Sequence, residues 1–186
     1  MTADDEVVIA GDTHDGPLHE TQAILRAFPF KTVFVPHDAG HHDWGHSQLN
    51  FTMPYARGDY ILFNDDDDVF TPTAMDAVRK VADSLPEPRV LIFRFMTHFR
   101  QVTWTDYTLR EGTIGGHNLV IPTVPERFGV WNEHYAGDHS FVLETVTKWR
   151  KAGVEPVWRT EILQYARPTE AEWQRMQQQI AQLAVR

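Results

Sequence analysis

The sequence reads as an α/β domain with a mostly parallel sheet flanked by helices, a small antiparallel element and a C-terminal helix. Three observations predict this class. Short, β-branched apolar runs alternate with segments of helical period through the first half of the chain, the βαβαβα order that parallel strands with crossover helices produce. The first of these runs stops at Gly-Asp and the third at Asn and aspartates, as buried strands of α/β sheets end. The 186 residues, 42% of them hydrophobic, suffice to bury a core without staples.

The first strand spans Val7 to Ala10 and closes at Gly11 and Asp12. A helix is expected from about Pro17 to Phe28, with proline suited to its first turn and Ile24, Leu25 and Phe28 on one face. A second strand, Thr32 to Val35, enters the loop text PHDAGHHDWGH. The next helix, about Ser47 to Ala56, is interrupted at Pro54, because proline removes a helical donor. The strand Tyr60 to Phe63 leads into Asn64 and four aspartates, Asp65 to Asp68. Thr71 and Pro72 read as N-cap and first helical residue, with Met75, Val78, Val81 and Leu85 at helical spacing.

The middle of the chain changes character. Val90 to Phe95 and Phe99 to Trp104 read as neighbouring strands joined by a short turn, and His117 to Ile121 as another strand after Gly115 and Gly116. A helix from about Asp138 to Lys151 ends at Gly153, the residue type that most easily takes the left-handed turn there. After Pro168, Thr169 and Glu172 form a capping-box pair, and Trp173, Met176, Ile180 and Leu183 make one stripe. We therefore divide the chain into a domain over 1–168 and an amphipathic helix over 169–186. That stripe packs on the domain or on a second copy of the chain.

Composition excludes several classes. With no cysteine there is no disulfide, zinc-thiolate site or thiol nucleophile, and any metal is held by oxygen and imidazole. No run approaches the roughly 18 apolar residues that span a bilayer, and the start MTADDEVV is acidic where a signal peptide is basic and then apolar. A cytoplasmic protein is expected. A net charge of -9 argues against broad nucleic-acid binding, although Arg94, Arg100 and Arg110 leave room for a local basic groove.

Four adjacent carboxylates repel one another unless solvent or a cation compensates. A solvated acidic turn is the plain reading, but the carboxyl end of a parallel strand is where open α/β sheets bind ligands. On an extended strand Asp65 and Asp67 would point together, with Asp66 and Asp68 elsewhere. A hard cation, Mn²⁺ or Mg²⁺, takes one or two such carboxylates and completes its shell with water and phosphate oxygens.

The stretch ARGDYILFNDDDDVF over 56–70, followed by TPTAMDAVRKV, resembles the core of the family 2 GT-A glycosyltransferases, a Rossmann-like fold. Its members carry A-x-G-D-Y-I-x-F-x-D-x-D-D and then a proline-initiated helix. The likeness extends over roughly residues 7–165. It implies transfer of a sugar from a nucleoside diphosphate sugar to a hydroxyl, with inversion. It places Asp65 on the donor ribose, Asp67 with Asp65 on the metal, and Asp66 beside them on the donor. VVIAGDTHDG resembles the family's V-V-x-D-G-S-x-D, making Asp12 the nucleobase contact and Asp15 the second match. GHSQLNFTMPYARGDY keeps the donor-side Asn as Asn50 but has Leu49 where arginine is usual. The acceptor-side E-D pair reads Gly137 and Asp138 here, so Asp138 alone is carried over as general base. By position it is also a good N-cap. The family's opening strand and helix have no counterpart.

An aromatic or imidazole face suits the apolar face of a sugar, so His117, Trp131 and Trp104 are acceptor candidates. The acceptor itself is left open between glycan, lipid, protein, small molecule and modified nucleic acid. His37, His41, His42 and His46, with Asp38 and Asp43, match no standard zinc spacing and read as a polar loop over the donor. Two rival functions remain at this level: a metallophosphoesterase-like hydrolase, from GDTHDG, and a nucleotide-sugar-binding module without turnover.

Overall fold

The computed structural model describes residues 5–14, 19–26, 31–38 and 44–183, without the side chains of Glu20, Thr21, Ile24 and Leu183. Pro17, Phe28, Asp15, His41, His42 and Asp43, and the placement of the Ile24 and Leu183 side chains, therefore lie outside the described residues.

Strand β1 (Glu6–Asp12) pairs in parallel with β2 (Lys31–His37) across helix α1 (His19–Arg26). Helix α2 (His46–Thr52) passes directly into a 3-10 turn over Met53–Tyr55, the interruption expected at Pro54. The main sheet has five strands: β3 (Tyr60–Leu62), β4 (Asp68–Phe70), β5 (Leu91–Met96), β6 (Leu119–Pro122) and β7 (Val157–Ala166), in the order β3-β6-β5-β7-β4. Helices α3 (Ala74–Asp83), α4 (Gly137–Lys151) and α5 (Glu170–Leu183) complete the order.

The α/β class stands, but the sheet is mixed. Of the main sheet's pairings only β5 with β7 is parallel, while β3–β6, β5–β6 and β4–β7 run antiparallel. The strands nonetheless read as apolar runs because both faces are covered. Successive residues of β5 alternate between two cores. Ile92 joins Leu119 and Ile121 against Phe141, Val142, Val146 and Trp149 of α4. Leu91 and Phe93 join Val120 and Leu163 against Ala74, Val78 and Val81 of α3. Helices thus flank both faces, and each fully buried side chain of this size contributes about 1.5–3 kcal/mol.

Four expectations shift. The helix expected at Thr71 begins at Ala74 after Thr73, because the Thr71 hydroxyl donates to the Ile162 carbonyl instead of capping. The strand expected over 99–104 is a single bridge, Met96 to Val102. There the chain turns at Arg100 (φ 60°), and the Thr103 hydroxyl takes the Phe95 N–H at 3.0 Å, where a ladder would continue. His117 lies on a 3-10 turn, Gly116–Asn118, ahead of β6. Strands β4 and β7 had no counterpart in the sequence reading.

Helix α4 ends at Gly153 with φ 81°, as expected. Helix α5 carries the capping box, with Thr169 N–H on Glu172 at 2.7 Å and Glu172 N–H on the Thr169 hydroxyl at 3.3 Å. It buries Met176 and leaves Trp173 and Ile180 exposed. Among the described residues, no helix is long and apolar enough to cross a membrane.

Candidate functional site

The acidic segment is a turn, which corrects the extended geometry expected from the sequence. Strand β3 ends at Leu62, and Phe63 packs edge-on against Trp131 and Phe141, anchoring the segment in the core. The chain then reverses, with Asp68 N–H on the Asp65 carbonyl at 3.2 Å and the Asn64 amide on the Asp65 and Asp68 carbonyls at 2.6 and 3.3 Å. Asp65 and Asp68 therefore converge, while Asp67 points to Arg167, whose Nε donates to it at 2.7 Å. Asp66 is exposed on the turn. On this turn Asp65 and Asp68 face His117 and Asp67 pairs with Arg167, in place of the two-residue alternation of a continuing strand.

The third member is His117. Its Nε2 lies 3.2 Å from Asp65 Oδ2 and 3.3 Å from Asp68 Oδ2. That nitrogen is buried and has no aligned hydrogen bond. The backbone that carries the ring is fixed from behind. Asn118 accepts the Gly115 N–H at 3.0 Å and donates to the Phe93 carbonyl at 2.7 Å and to Thr103 at 2.8 Å. Gln164 on β7, 1% exposed, donates to the carbonyls of Phe63 at 3.3 Å and His117 at 2.8 Å. One side chain so ties the root of the acidic turn to the backbone that carries the imidazole.

The electrostatics are those of a shared cation or proton. Burial works against a charged His117, but the carboxylates of Asp65, Asp68 and Asp138 outweigh it and raise its pKa. Burial likewise opposes ionisation of Asp65, yet His117, Arg167 and His46 hold its pKa below the usual range. Burial raises the pKa of Asp68 despite His117 and the Arg167 N–H beside it. One oxygen from each carboxylate and one imidazole nitrogen lie within 4.8 Å of one another, and this is the metal-competent group among the described residues. Two carboxylate oxygens, an imidazole nitrogen and an unmade hydrogen bond fit a divalent cation such as Mn²⁺ or Mg²⁺.

Asp138 stands beside this group. It is the second residue of α4, whose N-cap is Ala136 without a side-chain cap, so the capping role open to it in the sequence is not the one it takes. Its Oδ1 accepts the His139 N–H at 2.6 Å. Gly115 makes room for the carboxylate, since a β-carbon there would sit 2.4 Å from Asp138 Oδ2.

The other expected residues divide. Asp12 closes β1, its carboxylate accepting the His14 N–H at 2.9 Å and the Gln48 amide at 3.4 Å. Asn50 spends its amide on the backbone of Trp131, donating to the carbonyl at 2.7 Å and accepting the N–H at 2.9 Å. Trp131 and Trp104 offer no sugar-stacking face. Trp131 is 4% exposed and stacked on Phe141 at 4.3 Å. Trp104 is 2% exposed, lies under the Arg94 guanidinium and donates to the Phe93 carbonyl. His37 stacks on Phe51. Among the described residues Asp12 joins no metal-ligating group, and Asp15, the second aspartate of GDTHDG, lies outside them. Asn118 and Gln164 were missed, and Asp68 was read as part of the acidic cluster but not as a ligand. A lone polar residue inside ILQYA was the available signal for Gln164.

A profile of the family described as "Glycosyl transferase family 2" matches residues 3–143. The chain belongs to glycosyl transferase family 2. No curated protein sequence matches this family 2 domain. Among solved structures it is similar to S. aureus TarS 1-349, at 16% identity with a TM-score of 0.64. It is also similar to the same protein in complex with UDP, at 17% and 0.59. In both cases 95% of this chain is covered but 55% of the other, so the chain spans about half their length. The likeness shows the GT-A-like fold.

Proposed function

We propose that this family 2 domain transfers a sugar from a nucleoside diphosphate sugar to an acceptor hydroxyl, with inversion, using a divalent ion held by Asp65, Asp68 and His117. The convergence of these three side chains at the end of β3, with Asp138 beside them, carries the proposal. The UDP complex of TarS supports a uridine nucleotide as donor. A bound Mn²⁺ or Mg²⁺ would supply charge neutralisation for the leaving diphosphate.

The remaining work falls to the chain's own groups. Asp12 binds the nucleobase and Asp65, with Asp66 near it, the ribose side of the donor. Asp138 takes the acceptor proton while the acceptor oxygen attacks the anomeric carbon, and the bond from that carbon to the diphosphate oxygen breaks. Arg167 pairs with Asp67 on the exposed side of the turn and gives its N–H to Asp68.

Calorimetric titration of UDP, GDP, dTDP and their sugar conjugates, with Mn²⁺ or with EDTA, tests this. Binding of one nucleotide series that vanishes in EDTA is expected. No nucleotide binding, or binding indifferent to EDTA, overturns the metal-dependent transferase.

A further inference from the structure

Trp44 and Tyr135 form an exposed aromatic pair next to the site. Trp44 is 62% exposed and Tyr135 83%, whereas the tryptophans singled out in the sequence are buried. Their ring centroids lie 6.0 Å apart with planes at 78°, so together they offer a face and a wall. Each stands on a segment that leads into the site. Trp44 precedes α2, where buried His46, 6.2 Å from it ring to ring, lies close enough to act on Asp65. Tyr135 is on the turn into α4, three residues before Asp138.

The two segments are clasped together. His46 Nδ1 donates to the Asn132 carbonyl at 2.7 Å, since a carbonyl only accepts. Gly137 lets the backbone meet that imidazole, for a β-carbon there would sit 2.6 Å from Nδ1 and 2.0 Å from the Asn132 oxygen. Trp44 (φ 57°) and Gly45 (φ 80°) are consecutive left-handed residues, a conformation a bulky side chain takes only when its surroundings impose it. It turns the indole outward beside Tyr135.

We propose that Trp44 and Tyr135 form an acceptor subsite that stacks on a cyclic sugar ring, so that the acceptor is a saccharide whose reacting hydroxyl faces Asp138. An aromatic face takes the C–H side of a sugar ring and leaves its hydroxyls to polar neighbours; an acyclic polyol presents no such side. The acceptor role rests on the transferase reading above, but the stacking itself does not.

The test titrates cellotetraose, maltotetraose, chitotetraose, ribitol and glycerol into the full chain, with and without UDP and Mn²⁺, followed by tryptophan fluorescence and calorimetry. At least one tetrasaccharide should bind and both polyols should fail. Trp44→Ala and Tyr135→Ala should each weaken that binding by roughly tenfold, Trp44→Phe should retain most of it, and UDP affinity should stay unchanged. UDP binding without saccharide binding overturns the subsite and leaves the transferase standing. Saccharide binding without UDP binding keeps the subsite and removes the transferase. Saccharide affinity indifferent to both alanine variants, polyols binding as well as rings, or UDP affinity falling with Trp44→Ala overturns the subsite; the last outcome assigns the pair to the nucleobase.

Discussion

The Gln164 side chain donates to the His117 carbonyl at 2.8 Å from a position 1% exposed, so a strand residue 47 positions away in sequence holds the backbone that carries the imidazole. Gln164→Leu removes this donor and leaves two buried carbonyls short of a partner. A loss of about 1–3 kcal/mol of stability is expected by denaturant titration. Metal-dependent nucleotide binding should weaken in the same variant under conditions where it is still folded.

Asp138→Asn separates base from cap. Asparagine at 138 keeps an oxygen for the His139 N–H, so the variant loses only the charge of a first-turn acid, under about 1 kcal/mol. Turnover should fall by about 10²–10⁴ while donor affinity holds. A thermal melt beside a rate measurement checks both; a collapse in stability would contradict the assignment.

Gly115→Ala reaches the same carboxylate without altering its charge. The added carbon would sit 2.4 Å from Asp138 Oδ2, so the carboxylate must move. A displacement of this kind costs about 10²-fold in rate. The expectation is lower kcat with nearly unchanged donor binding, and unaltered kcat would contradict it.

The C-terminal helix carries a pH signature. The Thr169 hydroxyl and N–H, with Arg100 and Arg175, hold the Glu172 pKa below its ordinary value of 4.5. A lowered folded pKa stabilises above the unfolded value and is lost as pH falls through the folded one. Wild type should therefore exceed Glu172→Gln in stability at about pH 7, with the gap closing as the pH falls through the lowered folded pKa of Glu172. Parallel thermal melts of both proteins measure the gap.

What was legible follows from local chemistry. The β-branched runs of β1 and β2, the interruption at Pro54, the Thr169–Glu172 cap and Gly153 act within a few residues, and each stands where expected. Strand β7 was hidden because its apolar residues share the strand with Arg159, Glu161 and Gln164, and β5 meets it with shifts of register. The acidic turn was hidden for a different reason. Four identical side chains carry no periodicity, and their directions are set by Asn64 and by Arg167, a hundred residues downstream. The burial of Trp131 depends on Gly116 and Phe141 across the fold, which no local window contains.

The most direct measurement is Mn²⁺-dependent UDP binding in Asp68→Asn beside Asp67→Asn. Asparagine at 68 keeps an oxygen for the Arg167 N–H, so the turn survives while the charge facing His117 is lost. The geometry predicts that Asp68→Asn abolishes the metal-dependent part of binding and that Asp67→Asn, which loses only an exposed pair with Arg167 worth about 0–1 kcal/mol, retains it. Loss in Asp67→Asn with retention in Asp68→Asn would contradict the metal set of Asp65, Asp68 and His117.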